Sequence, residues 1–429
     1  MKSYKEMSKE ELQTLKEQLD KQYTDAKGKG LSLNMARGKP APSQLNMSMG
    51  ILDSFSSHVD PVTPSGVDTR NYGELVGIPE AQKLMADMMG APLENVFVFG
   101  NASLPIMFDT VSRSFTFGVL GSTPWCKLDK VKFLCPVPGY DRHFKITELF
   151  GIEMINIPMN SDGPDMELVK KYVESDESVK GIWCVPKYSN PTGLTYSDDV
   201  VRAFAALNPA AKDFRIYWDN AYAVHDLYDD DKDELLDIIG ECVKAGKPDM
   251  IFEFCSTSKI SFSGAGIAAM AASKANLDWV KSTMSVQTIG YDKMNQYRHV
   301  LYFKDINGIK SHMRKHADIM RPKFETVLKC FDENLKEFEG VVSYTRPKGG
   351  YFISFNALPG TAKEIVSKCK EAGVTLTGAG ATYPYGKDPE DSNIRIAPSF
   401  PTVDEMEQAA EIFVLCVKLA TVDKLLSQK

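Results

Sequence analysis

The feature that most constrains the fold is a series of seven short apolar runs, rich in β-branched and aromatic residues, that begins after Glu80. Stretches long enough for helices separate the runs, and several runs contain almost no polar residue. This pattern is typical of strands that are buried on both faces of a parallel sheet covered by crossover helices. We therefore predict a doubly wound α/β domain with a mostly parallel, seven-stranded sheet. The runs are Val96–Phe99, Val131–Cys135, Met154–Ile157, Ile182–Val185, Phe214–Trp218, Met250–Cys255 and Ile267–Ala272.

A different pattern follows the sheet-forming part of the chain. A long polar helical stretch covers Arg321 to Phe338, and short strand-like runs come after it, among them Val374–Thr377 and Ile394–Ala397. A capping box formed by Thr402 and Glu405 predicts the start of a last helix. These elements predict a second, smaller α+β domain.

The N-terminal segment contains a second capping box, formed by Ser8 and Glu11, followed by apolar residues at helical spacing. The spacing predicts a helix with one apolar face. We place an N-terminal arm and part of the small domain at residues 1–55, the large domain at 56–320 and the C-terminal small domain at 321–429.

Composition narrows the function classes. Lys plus Arg total 50 and Asp plus Glu total 57, so the formal net charge is −7 and nucleic-acid binding through bulk charge is not expected. Hydrophobic residues make up 43% of the chain, which argues against a disordered protein. The eight cysteines form no CxxC pair, and no apolar stretch approaches the ~18 residues of a membrane span. We predict a cytoplasmic protein in a reducing compartment, with no metal site and no membrane partner.

Residues with possible chemistry follow five of the predicted strands, and ligands of an open parallel sheet bind beyond the carboxyl ends of its strands. Small residues before a helix can bind phosphate, a buried carboxylate needs a positive or hydrogen-bonding partner, and a lysine beside hydroxyls can form a Schiff base. Each also has an ordinary explanation, as a turn, a packed tyrosine, a helix cap or a solvated lysine. The groups are Gly100-Asn-Ala-Ser103, Tyr140, Asn190, Asp219 with Tyr222, and Ser256-Thr-Ser-Lys259.

One ligand accounts for all five groups: a flat, phosphorylated aldehyde with a ring nitrogen that an aspartate keeps protonated, which describes pyridoxal phosphate. The chain resembles the fold-type I aminotransferases of the aspartate aminotransferase kind over nearly its whole length. The resemblance rests on four motifs in the family's order, Asn190-Pro-Thr-Gly193, Asp219-x-x-Tyr222, Ser256-x-Ser-Lys259 and Asn393-Ile-Arg395.

The sequence around these motifs is most similar to a bacterial branch of this family that is related to the aminotransferase part of MocR-type regulators. The similar segments are Ala36-Arg-Gly-Lys-Pro40, Gly100-Asn-Ala-Ser-Leu104 and Gly139-Tyr-Asp-Arg-His143. About 35 residues precede Arg37, fewer than the roughly 50 of a small domain, so we expect no DNA-binding module.

The resemblance implies a role for each residue of the cofactor ring site. Lys259 holds the cofactor as a Schiff base and then moves the proton of the substrate α-carbon. Asp219 pairs with the pyridinium nitrogen, Tyr222 and Asn190 bond the ring oxygen, and Tyr140 stacks on the ring.

The resemblance also implies the phosphate and substrate contacts. Arg395 binds the substrate α-carboxylate as a bidentate fork, with Asn190 beside it, and the backbone at Gly38 closes over the substrate, next to Arg37. Tyr72 reaches the phosphate of a neighbouring subunit, which implies a homodimer with shared active sites, and we expect the apolar face of the N-terminal helix to pack on the partner. The phosphate ligands in the same chain are Asn101, Ala102, Ser103, Ser256 and Ser258.

One position departs from the family. The family places an arginine eight residues after the Schiff-base lysine, but this chain has Ile267 there. We hypothesise that Ser261 or Ser263, with backbone donors, replaces that phosphate partner.

The sequence leaves the substrate specificity open. A dicarboxylic substrate needs a second cation, and the candidates are Arg37, Lys293 and Arg298, each of which could equally be a surface charge. His143 and His225 flank motif residues without metal-ligand spacing, so we interpret both as packing residues.

The leading hypothesis is an aminotransferase that moves the amino group of aspartate to 2-oxoglutarate. An aminotransferase of different amino-acid specificity, a β-lyase or a decarboxylase on the same scaffold is the alternative. A non-catalytic sensor of pyridoxal phosphate is less favoured because Lys259, Asp219 and Arg395 are all present. A serine hydrolase is the least favoured hypothesis, since the segment from Ser261 to Gly266 lacks the first glycine of a nucleophile elbow.

Overall fold

The computed structural model describes residues 4–338 and 340–429. The helices are α1 (Lys9–Gly28), α2 (Pro42–Met47), α3 (Pro79–Met89), α4 (Ser103–Phe117), α5 (Asp141–Leu149), α6 (Met166–Ser175), α7 (Asp198–Ala206), α8 (Ile238–Lys244), α9 (Lys274–Gln287), α10 (Lys293–Phe303), α11 (Ile306–Asn334), α12 (Ala362–Glu371) and α13 (Val403–Gln428). The strands are β1 (Leu33–Asn34), β2 (Val96–Val98), β3 (Lys132–Val137), β4 (Glu153–Asn160), β5 (Gly163–Pro164), β6 (Val179–Cys184), β7 (Arg215–Asp219), β8 (Ile251–Ser256), β9 (Ala268–Ala272), β10 (Ser343–Tyr344), β11 (Ile353–Asn356), β12 (Val374–Thr375) and β13 (Asn393–Ile396).

The large sheet has the strand order β2-β9-β8-β7-β6-β3-β4-β5. Strand β9 is antiparallel to both β2 and β8, and β5 is antiparallel to β4, whereas β3, β4, β6, β7 and β8 run parallel. All seven predicted strands are present, so the prediction of a mostly parallel α/β sheet is confirmed. The edge strand β5 was not predicted because two residues carry too little pattern to detect.

Burial explains why the strand sequences are apolar throughout. Every residue of β6, β7 and β9 is buried. Ile216 and Trp218 of β7 contribute to the core on one face of the sheet, while Tyr217 contributes to the core on the other. Because successive side chains of a strand point to opposite faces, a strand covered on both sides needs apolar residues at every position.

The smaller part of the molecule is built on two short sheets. Strands β10, β11 and β13 form an antiparallel sheet, and β1 pairs with β12 in parallel. Helices α1 and α13 both begin with the predicted capping boxes, at Ser8 and Thr402.

Helix α1 packs on its own chain. Leu12 and Leu19 are buried in the core that α13 shares, and Lys16 forms a 2.6 Å ion pair with Asp423 of α13. The expectation that the apolar face of α1 packs on a second copy is therefore wrong. The periodicity identifies an apolar face, but it does not identify the surface that covers it.

The predicted division at residues 55 and 320 stays a prediction. Helix α11 begins at Ile306, capped by Asp305, and continues unbroken past residue 320 to Asn334. Within the described part of the chain, no helix is both long and apolar enough to cross a bilayer. All eight cysteines are free thiols, and only Cys126 is exposed.

Candidate active site

The small residues after β2 form the start of helix α4. Ala102 caps this helix, and Asn101 and Ser103 lie on either side of it. Free N–H groups and the helix dipole favour an anion at such an N-terminus.

Two serines that follow β8 lie beside this N-terminus. The Ser258 hydroxyl donates to the Asn101 carbonyl over 3.2 Å, and the Ser256 hydroxyl donates to Ser258 Oγ over 3.1 Å. A Cβ on Gly266 would lie 2.9 Å from Thr257 Oγ1 and 3.1 Å from the Asn101 carbonyl, so a glycine lets the two segments approach. The structure thus brings together the five residues expected to bind phosphate within one chain.

Lys259 lies against two tyrosine rings. Its Nζ is 4.9 Å from the ring centroid of Tyr222 and 5.9 Å from that of Tyr351. Burial lowers the pKa of the Lys259 amine, an effect that the charge of Asp219 opposes. A desolvated amine with a lowered pKa is a better nucleophile and proton acceptor at neutral pH.

Asp219 ends β7 with a carboxylate that is only half satisfied. His143 Nε2 is 3.0 Å from Asp219 Oδ2, whereas Oδ1 is buried with no hydrogen-bond partner among the described residues. His143 is also stacked on Trp183, with centroids 4.5 Å apart. The interpretation of His143 as a packing residue is therefore incomplete, since it also supports Asp219.

Tyr140 caps helix α5 at the edge of the same site. Its ring meets that of His143 edge-on, with centroids 4.9 Å apart. Burial, followed by the charges of Asp219 and Asp141, raises the pKa of Tyr140 to about 12. The ring is thus neutral and close to Asp219, as expected for a residue that covers a planar ligand.

Arg395 of β13 extends from the small domain to the same site. Its Nη1 donates to Asp141 Oδ1 over 3.0 Å and to Asn190 Oδ1 over 3.2 Å, and its Nη2 donates to Thr377 Oγ1 over 3.3 Å. Nε has no partner in the described chain. Both Nη1 hydrogens are therefore used, and the Nε side of the guanidinium is left for a ligand.

Gly38 lies directly against Phe352, over whose ring the Arg395 guanidinium is placed at 4.9 Å. A Cβ on Gly38 would come within 2.2 Å of Phe352 Cζ. The glycine thus allows the N-terminal segment to cover the arginine site.

The structure corrects the hypothesis about Ser261. Its hydroxyl is buried and bonds to Thr257 and, over 2.8 Å, to His299 Nε2, so it is engaged inside the protein. The Ser263 hydroxyl is exposed and donates to the Ser258 carbonyl over 2.8 Å. Ile267 is buried and gives its backbone N–H to Thr257 Oγ1. The proposal of Ser261 as a phosphate partner is therefore wrong.

Other expected residues lie outside this cluster. The Tyr72 side chain is 83% exposed, and Arg37 is exposed. Lys293 is buried and donates to the Gly73 carbonyl over 3.1 Å, and Arg298 donates to Asn295 over 2.7 Å. None of these contacts tests the predicted role in binding a second carboxylate.

Sequence reasoning missed several residues of the site. They are Asp141 and Thr377, which contact Arg395, Phe352 below it, Trp183 under His143, and Tyr351 beside Lys259. His143 follows Tyr140 by three residues at the start of α5, and that helical spacing was the one signal that could have linked it to the site.

The buried atoms that lack a hydrogen-bond partner indicate which ligand this site can bind. Asp219 Oδ1 needs a buried donor such as a protonated ring nitrogen, and Arg395 Nε needs an acceptor such as a carboxylate. The N-terminus of α4 with Ser256 and Ser258 fits a phosphate.

Comparisons with known proteins agree with this description. The family model described as aspartate amino-transferase matches residues 7–429. An aspartate aminotransferase of Corynebacterium glutamicum is 44% identical over 422 residues, which cover 98% of this chain and 97% of that protein.

Solved structures show the same similarity. The crystal structure of an aspartate transaminase from Corynebacterium glutamicum superposes with a TM-score of 0.96 at 44% identity, covering 99% of both chains. An α-aminoadipate aminotransferase from Thermus thermophilus shares the fold alone, with a TM-score of 0.72 at 18% identity over 93% of this chain and 94% of that one.

Proposed function

This chain belongs to the aspartate aminotransferase family and is a pyridoxal-phosphate-dependent aminotransferase, and on that basis we propose that it moves the amino group of aspartate to 2-oxoglutarate. The donor is inferred from the relative in Corynebacterium glutamicum that is named for aspartate.

The cofactor supplies an electron sink for the negative charge that develops at the substrate α-carbon. Lys259 is the group that binds the cofactor aldehyde and moves the α-proton, because burial favours its neutral amine. With the cofactor bound, Asp219 Oδ1 would hold the ring nitrogen protonated, while His143 supports Oδ2 of the same carboxylate. Tyr222 and Asn190 would bond the ring oxygen, and Tyr140 would cover the ring face.

Arg395 orients the substrate by its α-carboxylate. The contacts to Asp141, Asn190 and Thr377 fix the guanidinium plane, so little side-chain freedom is lost when the substrate binds. The observation that carries the proposal is the unpartnered Asp219 Oδ1, in a carboxylate whose charge acts on Lys259, because a buried, half-satisfied carboxylate needs the donor that this cofactor provides.

The absorbance spectrum of the purified protein tests the proposal. We expect a yellow protein that aspartate bleaches and 2-oxoglutarate restores, which would demonstrate both half-reactions. The Lys259→Ala variant is the control and should not show the cycle. Release of ammonia and pyruvate from an amino acid with a leaving group on its β-carbon, such as cysteine, would indicate elimination, and a yellow protein that ignores aspartate would require another donor.

We also propose that two copies form a dimer with shared active sites. Several large apolar side chains are exposed near Tyr72, in segments joined by helix α10. Lys293 at the start of α10 bonds the Gly73 carbonyl, and Tyr302 near its end bonds the Met47 carbonyl. The exposed residues are Met49, Leu52, Val286, Ile289 and Met294. We propose that a second copy covers this surface and that its Tyr72 binds the phosphate, as the family resemblance implies.

Complementation between inactive variants tests the shared site. Lys259→Ala and Tyr72→Ala proteins are refolded together after unfolding. If each site combines Lys259 of one copy with Tyr72 of the other, random mixing restores about a quarter of the wild-type sites. A mixture no more active than the separate variants would show that the sites are not shared.

A further inference from the structure

A chain of buried polar side chains runs behind Lys259 and connects the N-terminal segment to the active site. Gln44 of α2 contacts both Tyr351 Oη and His316 Nδ1 at 3.1 Å. His316 Nε2 is 3.1 Å from His312 Nε2, which lies 3.1 Å from the carbonyl of Ile260, the residue after Lys259. All of these side chains are buried, so each hydrogen must have a definite acceptor.

The direction of these hydrogen bonds is set at Gln44. Its Oε1 accepts the backbone N–H of Ala41 over 3.0 Å in the cap of α2. An amide rotated by 180° would oppose two donors there, so the orientation is fixed. Both hydrogens of Nε2 are then donated, one to His316 Nδ1 and one to Tyr351 Oη.

The direction then continues through the two histidines. Because Nδ1 of His316 accepts, its hydrogen is on Nε2 and is donated to His312 Nε2. The Ile260 carbonyl instead receives the hydroxyl of Ser48 over 3.2 Å. This arrangement requires both imidazoles to be neutral, and burial lowers the pKa of His316 to about 3.

At the second partner of Gln44, the Tyr351 hydroxyl accepts a hydrogen bond from Nε2 and must donate its own hydrogen to another acceptor. No acceptor for it lies among residues 4–338 and 340–429. Next to Tyr351 is His225, which is buried; neither of its ring nitrogens has the geometry of a hydrogen bond, and the backbone of Lys259 lies near one of them. Gln44, His225, His316 and Tyr351 line a cavity of about 10 Å³. A single water needs roughly this volume and two to four polar partners.

We propose that one buried water links Tyr351 to His225 and completes a polar chain, fixed in direction by Gln44, that positions Lys259. The water accepts the Tyr351 hydrogen and donates to one ring nitrogen of His225, and the other ring nitrogen faces the backbone of Lys259. His225 lies edge-on to the rings of Tyr222 and Tyr351, with centroids 5.4 and 5.8 Å away. Those two rings are the surface against which the Lys259 amine lies.

The inference rests on the proposed role of Lys259, but it assigns new roles to Gln44, His225 and Tyr351. These are positioning residues, since they act on the lysine through the two tyrosine rings. Ser48, which directly follows α2, bonds the Ile260 carbonyl, so α2 also contacts the loop that carries Lys259.

Three substitutions in the full-length protein loaded with pyridoxal phosphate test the chain. Tyr351→Phe removes the hydroxyl and keeps the ring. Gln44→Glu turns the donor into an acceptor, which captures the Tyr351 hydrogen. His225→Phe removes the water's acceptor. Tyr302→Phe is the matched control, because its hydroxyl also bonds the end of α2, at Met47, but lies outside the chain.

The readouts are kcat, KM and the pH midpoint of the visible absorbance band. We expect each of the three substitutions to lower kcat about tenfold, to change KM by less than about twofold and to shift the midpoint by about one pH unit, whereas Tyr302→Phe leaves all three unchanged. Two charged groups face Lys259, namely Asp219 and Arg395, and none of these substitutions changes either of them. Tyr351→Phe and Gln44→Glu combined should be no worse than either alone.

A crystal structure of the wild type should also show the water between Tyr351 and His225, and that of His225→Phe should lack it. Wild-type turnover and midpoint in Gln44→Glu, or additive effects in the double variant, would overturn the inference. If Tyr351→Phe does not fold, the other two variants carry the same test. A wild type that fails to bind pyridoxal phosphate would instead overturn the proposed function.

Discussion

The imidazole of His143 lies on the indole of Trp183 at an angle of 12° and places Nε2 3.0 Å from Asp219 Oδ2. The stack fixes the plane of the imidazole, and the hydrogen bond fixes the carboxylate. Asp219 is therefore held in one orientation, with Oδ1 left without a partner among the described residues.

Replacing His143 by Phe should weaken cofactor binding without unfolding the protein. Phe keeps the stack on Trp183 but removes the bond to Asp219, so a buried carboxylate oxygen loses its donor. We expect the affinity for pyridoxal phosphate to fall about tenfold, measured by fluorescence titration of the apoprotein. An unchanged affinity would mean that His143 serves packing alone.

Asp141 holds a negative charge next to the proposed carboxylate-binding arginine. Its Oδ1 accepts from Arg395 Nη1, where it repels an incoming carboxylate. We expect Asp141→Asn to lower the KM for 2-oxo acids about threefold, with kcat unchanged. Arg395→Lys is the contrasting variant, and its KM should rise about a hundredfold because lysine cannot form a bidentate pair. A KM that rises in Asp141→Asn would indicate that Asp141 only orients the arginine.

The sequence predicted the strands and the residues at their ends, for a clear physical reason. Strands buried on both faces leave continuous apolar runs, and the carboxyl ends of parallel strands meet at one edge of the sheet. Lys259, Asp219 and Asn190 could therefore be placed together from local pattern and spacing.

Contacts between distant segments could not be predicted in this way. His143 reaches Asp219 across 76 positions, and the Ser261 hydroxyl turns to His299 of α10 because that helix packs against its loop. Neither contact leaves a periodic signal. The same holds for α1, whose covering surface on α13 lies at the other end of the chain.

Gly38→Ala should impair substrate binding selectively. The added methyl group would lie 2.2 Å from Phe352 Cζ, so the ring or the N-terminal segment must move. Because Phe352 supports Arg395, we expect the KM for both substrates to rise about tenfold, with cofactor affinity retained. Gly28→Ala, where a Cβ meets nothing within 4 Å, is the control and should behave as wild type.

Two serines near Lys259 should respond in opposite ways to substitution by Ala. Ser258 lies at the proposed phosphate site, so Ser258→Ala should weaken cofactor binding by about threefold to tenfold. Ser261 is bonded inside the protein, so Ser261→Ala should lower the free energy of unfolding of the apoprotein by about 1–2 kcal/mol and leave cofactor affinity unchanged. Equal losses of affinity in both variants would restore Ser261 as a phosphate ligand.

The buried histidines should make the protein less stable as the pH falls. Burial lowers the pKa of His299 to about 4. As the pH falls below the ordinary value near 6.5, the unfolded chain binds the proton before the folded one does, so the free energy of unfolding decreases until about pH 4. Glu253, whose pKa burial raises to about 8, titrates in the opposite sense, so the histidine effect must be isolated by comparing variants.

Urea unfolding of the apoprotein at pH 7 and pH 5 isolates the contribution of His299 to this pH dependence. His299→Asn should be less stable than the wild type at pH 7, because it disturbs the bonds to Ser261 and to the Asn295 carbonyl. Its loss of stability between pH 7 and pH 5 should nevertheless be smaller than that of the wild type by about 1–2 kcal/mol, since Asn has no proton to gain in the unfolded state. The matched control replaces His58, which is exposed, by Asn. Equal pH dependence in wild type and His299→Asn would show that the burial of His299 does not control its ionisation.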